Sequence, residues 1–240
     1  RRTALILLVV WLVVTLGPQA VAGGGQTGIA ELVRDELMIG VVGGALLLLV
    51  VAIAGGVGPA IGLVAPVPGT LRIAALPALW VAVMLAIAFG MAGIPAMPAI
   101  GFITANALLV GLSEELMFRG VLLSALGEMG PRRAVLWTAL AFGAVHALNS
   151  FVTGEPVQAV LQSLLALGMG FWAGAIRLRT GSLLLPILLH GLWDLALLVG
   201  ITGETPLALS VVSIVGVVVL GTMGWRALPT ETPATAPATA

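Results

Sequence analysis

Residues 99–126 read AIGFITANALLVGLSEELMFRGVLLSAL, and this stretch decides what kind of chain this is. As one helix rising about 1.5 Å per residue it outspans the roughly 30 Å of hydrocarbon in a bilayer. Yet it carries Glu114, Glu115 and Arg119 near its middle. A charge at membrane depth costs at least about 2.5–3.5 kcal/mol, so it is rarely held there without a use. The same residues therefore predict a membrane span and mark where chemistry could reside.

The rest of the chain has the same character. It is 60% hydrophobic and only 8% charged, and so few charges cannot cover a water-facing surface of a 240-residue protein. Charges and Pro/Gly clusters punctuate it into apolar segments at about 4–21, 37–57, 73–92, 99–126, 134–148, 157–176, 183–199 and 207–225. This pattern predicts an all-α fold, a polytopic membrane helix bundle of about eight transmembrane helices. Three helices occupy residues 1–98 and five occupy 99–226. Residues 227–240, rich in Pro, Thr and Ala, are expected to be a disordered tail.

Arginine placement tests the partition, because cytoplasmic loops collect positive charge. With the N-terminus inside, Arg1, Arg2, Arg72, Arg132, Arg133, Arg177, Arg179 and Arg226 fall on the inner side. The outer side holds Arg34 among Glu31, Asp35 and Glu36, plus Glu155 and Glu204. That bias is consistent with an even number of spans and both termini cytoplasmic. A competing reading treats Arg1-Arg2, the first apolar segment and Ala20-Val21-Ala22 as a secretory signal with a small-residue cleavage site. The formal net charge is zero, so nothing points to nucleic acid as a partner; the partner implied is the lipid bilayer. The absence of Cys excludes disulfides and cysteine nucleophiles. A Lys-free chain rich in Ala, Gly, Val and Arg suggests a bacterial plasma membrane.

Glu114, Glu115, Arg119, His146, His190 and Asp194 are the ionisable side chains that fall inside spans, and they include both histidines of the chain. Glu114 and His146 lie about 13 residues from the cytoplasmic ends of their spans and His190 about 8 to 9, which is roughly 12–20 Å of depth. Glu115 and Arg119, at i,i+4, share a helix face and can pair. His190 and Asp194 have the same spacing and can share a water or a metal, or Asp194 can orient His190. Glu114 points about 100° around the helix from Glu115, toward another neighbour.

Two carboxylates and two imidazoles without a marked nucleophile suggest activation of water. A carboxylate shielded from bulk solvent can act as general base. The histidines could bind a metal or stabilise an oxyanion. Glu114, His146, His190 and Asp194 make a plausible ligand number for Zn2+, although the H-E-x-x-H helix of familiar zinc proteases is absent. Metal-independent chemistry is the alternative. Gly168, Gly170 and Gly174 are expected to permit close helix approach. Asn149 reads as a helix-end cap, and Trp193 and Trp225 as interfacial or packing residues.

At these positions the sequence resembles the CPBP (CaaX protease and bacteriocin-processing, ABI-type) family of intramembrane proteases. The pattern E-E-x-x-x-R is met by Glu114-Glu115 and Arg119, F-x-x-x-H by Phe142 and His146, and H-x-x-x-N/D by His190 and Asp194. The resemblance covers about residues 99–198, and it implies an eight-helix endopeptidase, a metalloendopeptidase in type, acting on a protein or peptide substrate at the membrane. By that analogy Glu114 activates water with help from His146. His190 and Asp194 stabilise the oxyanion, and Glu115 with Arg119 form a supporting pair beside Phe142. In a bacterium a prenylated substrate would be unusual. Two other functions fit the same residues: a non-catalytic immunity or scaffold protein, and a proton-coupled transporter.

Overall fold

The computed structural model describes residues 1–21, 33–150, 156–203 and 206–228, and every described element is helical. Helix α1 spans Arg2–Val21 and α2 spans Ile39–Ala54. A short α3, Gly58–Ile61, interrupts the loop that follows. One 3-10 turn, Leu71–Ala74, leads into α4, Ala75–Ala92. Helix α5, Ala99–Glu115, runs on through a π-helical segment, Leu116–Leu122, into α6, Leu123–Ala125. Then come α7 at Pro131–Ala147, α8 at Pro156–Thr180, α9 at Leu184–Thr202 and α10 at Pro206–Ala227.

The boundaries follow local chemistry. Pro131, lacking an N–H, opens α7 where that donor would have no partner. Gly62 ends α3 in the left-handed region, at φ 95°, where a Cβ would be strained. Its carbonyl accepts a 2.8 Å bond from the Leu183 amide, which ties this loop to the start of α9. Helix α8 runs four residues past the apolar segment read as ending near 176, so Arg177 and Arg179 lie in its last turn. There Arg177 Nε donates to the Ile61 carbonyl at 3.3 Å and Arg179 Nε to that of Ala227 at 2.7 Å. Lys and Arg commonly satisfy orphan carbonyls in this way.

Among the described residues five helical segments are long and apolar enough to cross a membrane: Leu71–Ala92, Ala99–Ala125, Pro156–Thr180, Leu184–Thr202 and Leu207–Ala227. The chain is an integral, multi-pass membrane protein. Two further apolar helices, Arg2–Pro18 and Ile39–Ala54, are shorter. Helix α7 has 17 residues, about 25 Å of rise, and spends several of them on Arg132, Arg133, Thr138 and His146. Length and apolarity alone therefore support five of the eight expected spans. Glu31, Glu155, Glu204, Ala22 of the cleavage motif and residues 229–240 of the expected tail lie outside the described residues.

Helix α5 lies at the centre. It packs against α9 on one side and α2 on another, and α9 packs in turn against α4. Helix α7 lies along α8, α8 also meets α10, and α1 pairs with α2. Small residues set these distances. A Cβ on Gly111 of α5 would lie 2.7 Å from the Gly191 nitrogen of α9, so the two backbones touch. One on Gly170 would fall 2.5 Å from the Ala139 Cβ, one on Gly174 2.9 Å from Val135, and one on Gly168 2.9 Å from Val217. The expectation for these three α8 glycines is met. Helices in lipid gain little from the hydrophobic effect and associate through close packing, which is why small residues sit where they meet. Apolar side chains such as Ile6, Ile53, Leu79, Val157, Leu164 and Val218 face outward, as a lipid-facing surface requires.

Candidate active site

Glu114 and Glu115 end the regular part of α5, and being successive they point to different neighbours. Glu115 turns inward and is fully buried. Its Oε1 accepts a 2.9 Å bond from Arg119 Nη1, forming an i,i+4 ion pair with both partners out of solvent. The same oxygen lies 2.9 Å from His190 Nδ1. Because an ionised carboxylate only accepts, the imidazole must donate this bond, so Nδ1 carries a hydrogen. Glu115 therefore orients His190 through Nδ1, a contact between helices that the sequence reading, which offered Asp194 as one possible orienting partner, did not foresee.

His146 is held in the same way by a different acceptor. Its Nδ1 lies 2.9 Å from the Phe142 carbonyl one turn earlier in α7, and a carbonyl also only accepts. Each imidazole thus spends Nδ1–H on the scaffold and presents Nε2 elsewhere. Both Nε2 atoms face Glu114 Oε2, at 3.9 Å from His146 and 3.7 Å from His190. These separations are too long for direct hydrogen bonds. Glu114 Oε2 itself is buried and has no hydrogen-bond partner. Asp194, one turn beyond His190, brings Oδ2 to 3.4 Å from the same Nε2.

Phe142 is more than filler. Its ring lies 4.6 Å from that of His146 and 5.8 Å from that of His190, edge to face in both cases. The Arg119 guanidinium carbon stands 4.1 Å from the ring centroid, a cation–π contact, and Phe118 packs at 4.8 Å. One aromatic ring thus touches both imidazoles and the buried cation. The side chains of Glu114, His146 and Asp194 are 17%, 18% and 21% exposed, against 3% for His190. The cluster is therefore reached from the Glu114–His146–Asp194 side, with His190 at its floor.

All seven sequence-predicted residues (Glu114, Glu115, Arg119, Phe142, His146, His190 and Asp194) stand in one contiguous group. As a metal centre the group is less well formed. Among the described residues no set of three or more His, Asp or Glu side chains is arranged to hold a metal ion. His190 Nδ1 is taken by Glu115 and His146 Nδ1 by a carbonyl, so each imidazole has only Nε2 left to offer, beside the carboxylate oxygens of Glu114 and Asp194.

Other features were not legible in the sequence. The segment after Glu115 is π-helical, a form that often occurs at functional sites. Asn106 donates to the Val33 and Glu36 carbonyls and accepts from the Met38 amide, anchoring the approach to α2. Asn149 donates to Gln162 Oε1 at 3.0 Å, joining the end of α7 to α8. Of the two roles expected for Trp193, packing is the one met: it is buried against Trp172 with ring centroids 6.3 Å apart.

Residues 95–196 match the model of the family described as Type II CAAX prenyl endopeptidase Rce1-like. The matched segment contains all three motifs, and the resemblance to the CaaX-protease family rests on both. That family is one of peptidases, which supports a hydrolase acting on peptide bonds. No curated protein and no solved structure matches this chain.

Proposed function

We propose that this chain is an intramembrane endopeptidase of the CAAX-protease type, in which Glu114 activates the water that attacks the scissile carbonyl. The observation that carries the reading is the aim of two imidazole Nε2 atoms at one orphaned oxygen, Glu114 Oε2. Polar atoms 3.7–3.9 Å apart are within reach of a single bridging water. Glu114 takes a proton from this water as its oxygen bonds to the carbonyl carbon. The carbonyl π electrons pass to oxygen, and the oxyanion is met by His190 Nε2–H, on an imidazole held by Glu115 at Nδ1 and neighboured by Asp194 at Nε2. His146 Nε2 accepts the water's second hydrogen and holds it in line. Collapse of the tetrahedral intermediate breaks the C–N bond, and Glu114 delivers its proton to the leaving nitrogen. With the metal-ligand geometry unmet, the proposed chemistry uses side chains and water alone.

The substrate is a membrane-associated protein or peptide that enters from the partly exposed side of the cluster. We place the core of the enzyme at residues 99–226, in a bundle of eight spans with both termini cytoplasmic, on the arginine distribution. The test compares wild type with Glu114→Gln in proteoliposomes, using a farnesylated CaaX peptide and a transmembrane peptide as probes. Membrane-fraction proteomics reads new peptide termini in cells. Cleavage should fall by about 10²–10⁴-fold in the variant with unchanged thermal stability. Equal cleavage by both proteins refutes the role of Glu114. Proton flux in liposomes without any cleavage would favour the transporter, and full biological activity of Glu114→Gln would favour the scaffold.

A further inference from the structure

The family match and all three motifs lie beyond residue 94, yet the side chain that braces the motif helix comes from α1. Trp11 is 1% exposed and among the largest fully buried side chains. Its Nε1–H donates to Ser113 Oγ at 2.8 Å. Ser113 immediately precedes Glu114. Its buried hydroxyl therefore gives the motif helix a fixed point beside the proposed base. The Trp11 ring also meets Phe118 edge to face at 5.7 Å. Phe118 packs on Phe142, which touches both imidazoles. From one indole, a hydrogen bond leads toward the carboxylate and a run of rings leads to the histidines.

Helix α2 closes this joint. A Cβ at Gly44 would lie 2.9 Å from Trp11 Nε1, 3.0 Å from Ser113 Oγ and 2.5 Å from Thr15 Oγ1. Only glycine leaves room for the indole and the hydroxyl to meet under α2. A methyl group there must push them apart, because all three neighbours are buried.

Resting on the proposed protease reading, we infer that Trp11 is a positioning residue of the active site. It fixes the rotation of the motif helix through Ser113, and the placement of both histidines through Phe118 and Phe142, so that α1 is an integral part of the catalytic unit.

The test uses the full chain in nanodiscs. Trp11→Phe keeps a ring against Phe118 and removes only the donor; Ser113→Ala removes only the acceptor; Gly44→Ala wedges the pair apart. With the farnesylated peptide as probe, Trp11→Phe and Ser113→Ala should each lower kcat about three- to tenfold at constant KM, the scale of one hydrogen bond. The double variant should be no worse than either single one, because both break the same bond. Trp137→Phe, at an outward-facing position, is the control. A second readout needs no substrate. The chain has two histidines, so ¹⁵N-histidine labelling gives two imidazole signal sets. Both should shift in Trp11→Phe, Ser113→Ala and Gly44→Ala and stay put in Trp137→Phe. If wild type cleaves nothing, the protease reading fails while the imidazole shifts still decide the positioning role. Unmoved imidazole signals in all three variants, or additive losses that follow only the folded fraction, overturn it.

Discussion

Removing the Glu115 carboxylate should unmake the floor of the site at a cost that its burial sets. Glu115 is 0% exposed and Arg119 1%, and their contact is 2.9 Å. Losing one partner of a buried ion pair typically costs about 3–5 kcal/mol, because the remaining charge is left without compensation. Here the same oxygen also receives the His190 Nδ1–H, so Glu115→Ala orphans two buried donors at once. We expect the upper part of that range. Arg119 also stands over the Phe142 ring, a contact worth about 2 kcal/mol when desolvated, which is less than the cost of stranding the charge. The comparison is with Glu115→Leu/Arg119→Met, which removes both charges and fills similar volume. That double variant should be more stable than Glu115→Ala alone, since the stranded cation is gone. Reversible unfolding in mixed micelles, followed by tryptophan fluorescence, measures both. If Glu115→Ala costs under about 1 kcal/mol, or if the double variant is the less stable, Arg119 does not depend on Glu115 and the account of the floor is wrong.

Other outcomes follow from the packing and from the donor set. Gly111→Ala places a methyl group 2.7 Å from the α9 backbone and should destabilise by about 1–3 kcal/mol, whereas Gly101→Ala on the same helix meets nothing within 4 Å and should be neutral or slightly stabilising by thermal shift. Equal effects at the two positions would mean that α5 and α9 do not touch there. Prolonged treatment with a zinc chelator should leave probe cleavage unchanged, because the Glu114–His146–His190–Asp194 group is not arranged as a ligand set. Loss of cleavage that added zinc restores would replace the side-chain mechanism with a metal-assisted one.

Local sequence determined the helices. Each apolar segment appeared as a helix within a few residues of where its flanking charges and prolines placed it, because in lipid the backbone must satisfy its own hydrogen bonds. The i,i+4 pairing of Glu115 with Arg119 and the small face of α8 were legible for the same reason: one helix's geometry suffices to state them. The grouping of Glu114 with His146 and His190 was suggested by depth and motif order, but their separations were not. What tertiary structure alone decided are relations between helices. That Glu115 reaches His190 Nδ1, while Asp194 stands at Nε2, depends on how far α9 is rotated against α5, where Gly111 and Gly191 bring the two backbones together. That Trp11 reaches Ser113 depends on α1 folding back across 102 residues of sequence, and nothing in the pattern of a lone tryptophan in an apolar helix specifies it. Periodicity and composition are properties of one segment, whereas a site in a bundle is fixed by the rotation and depth of several, and those come from packing.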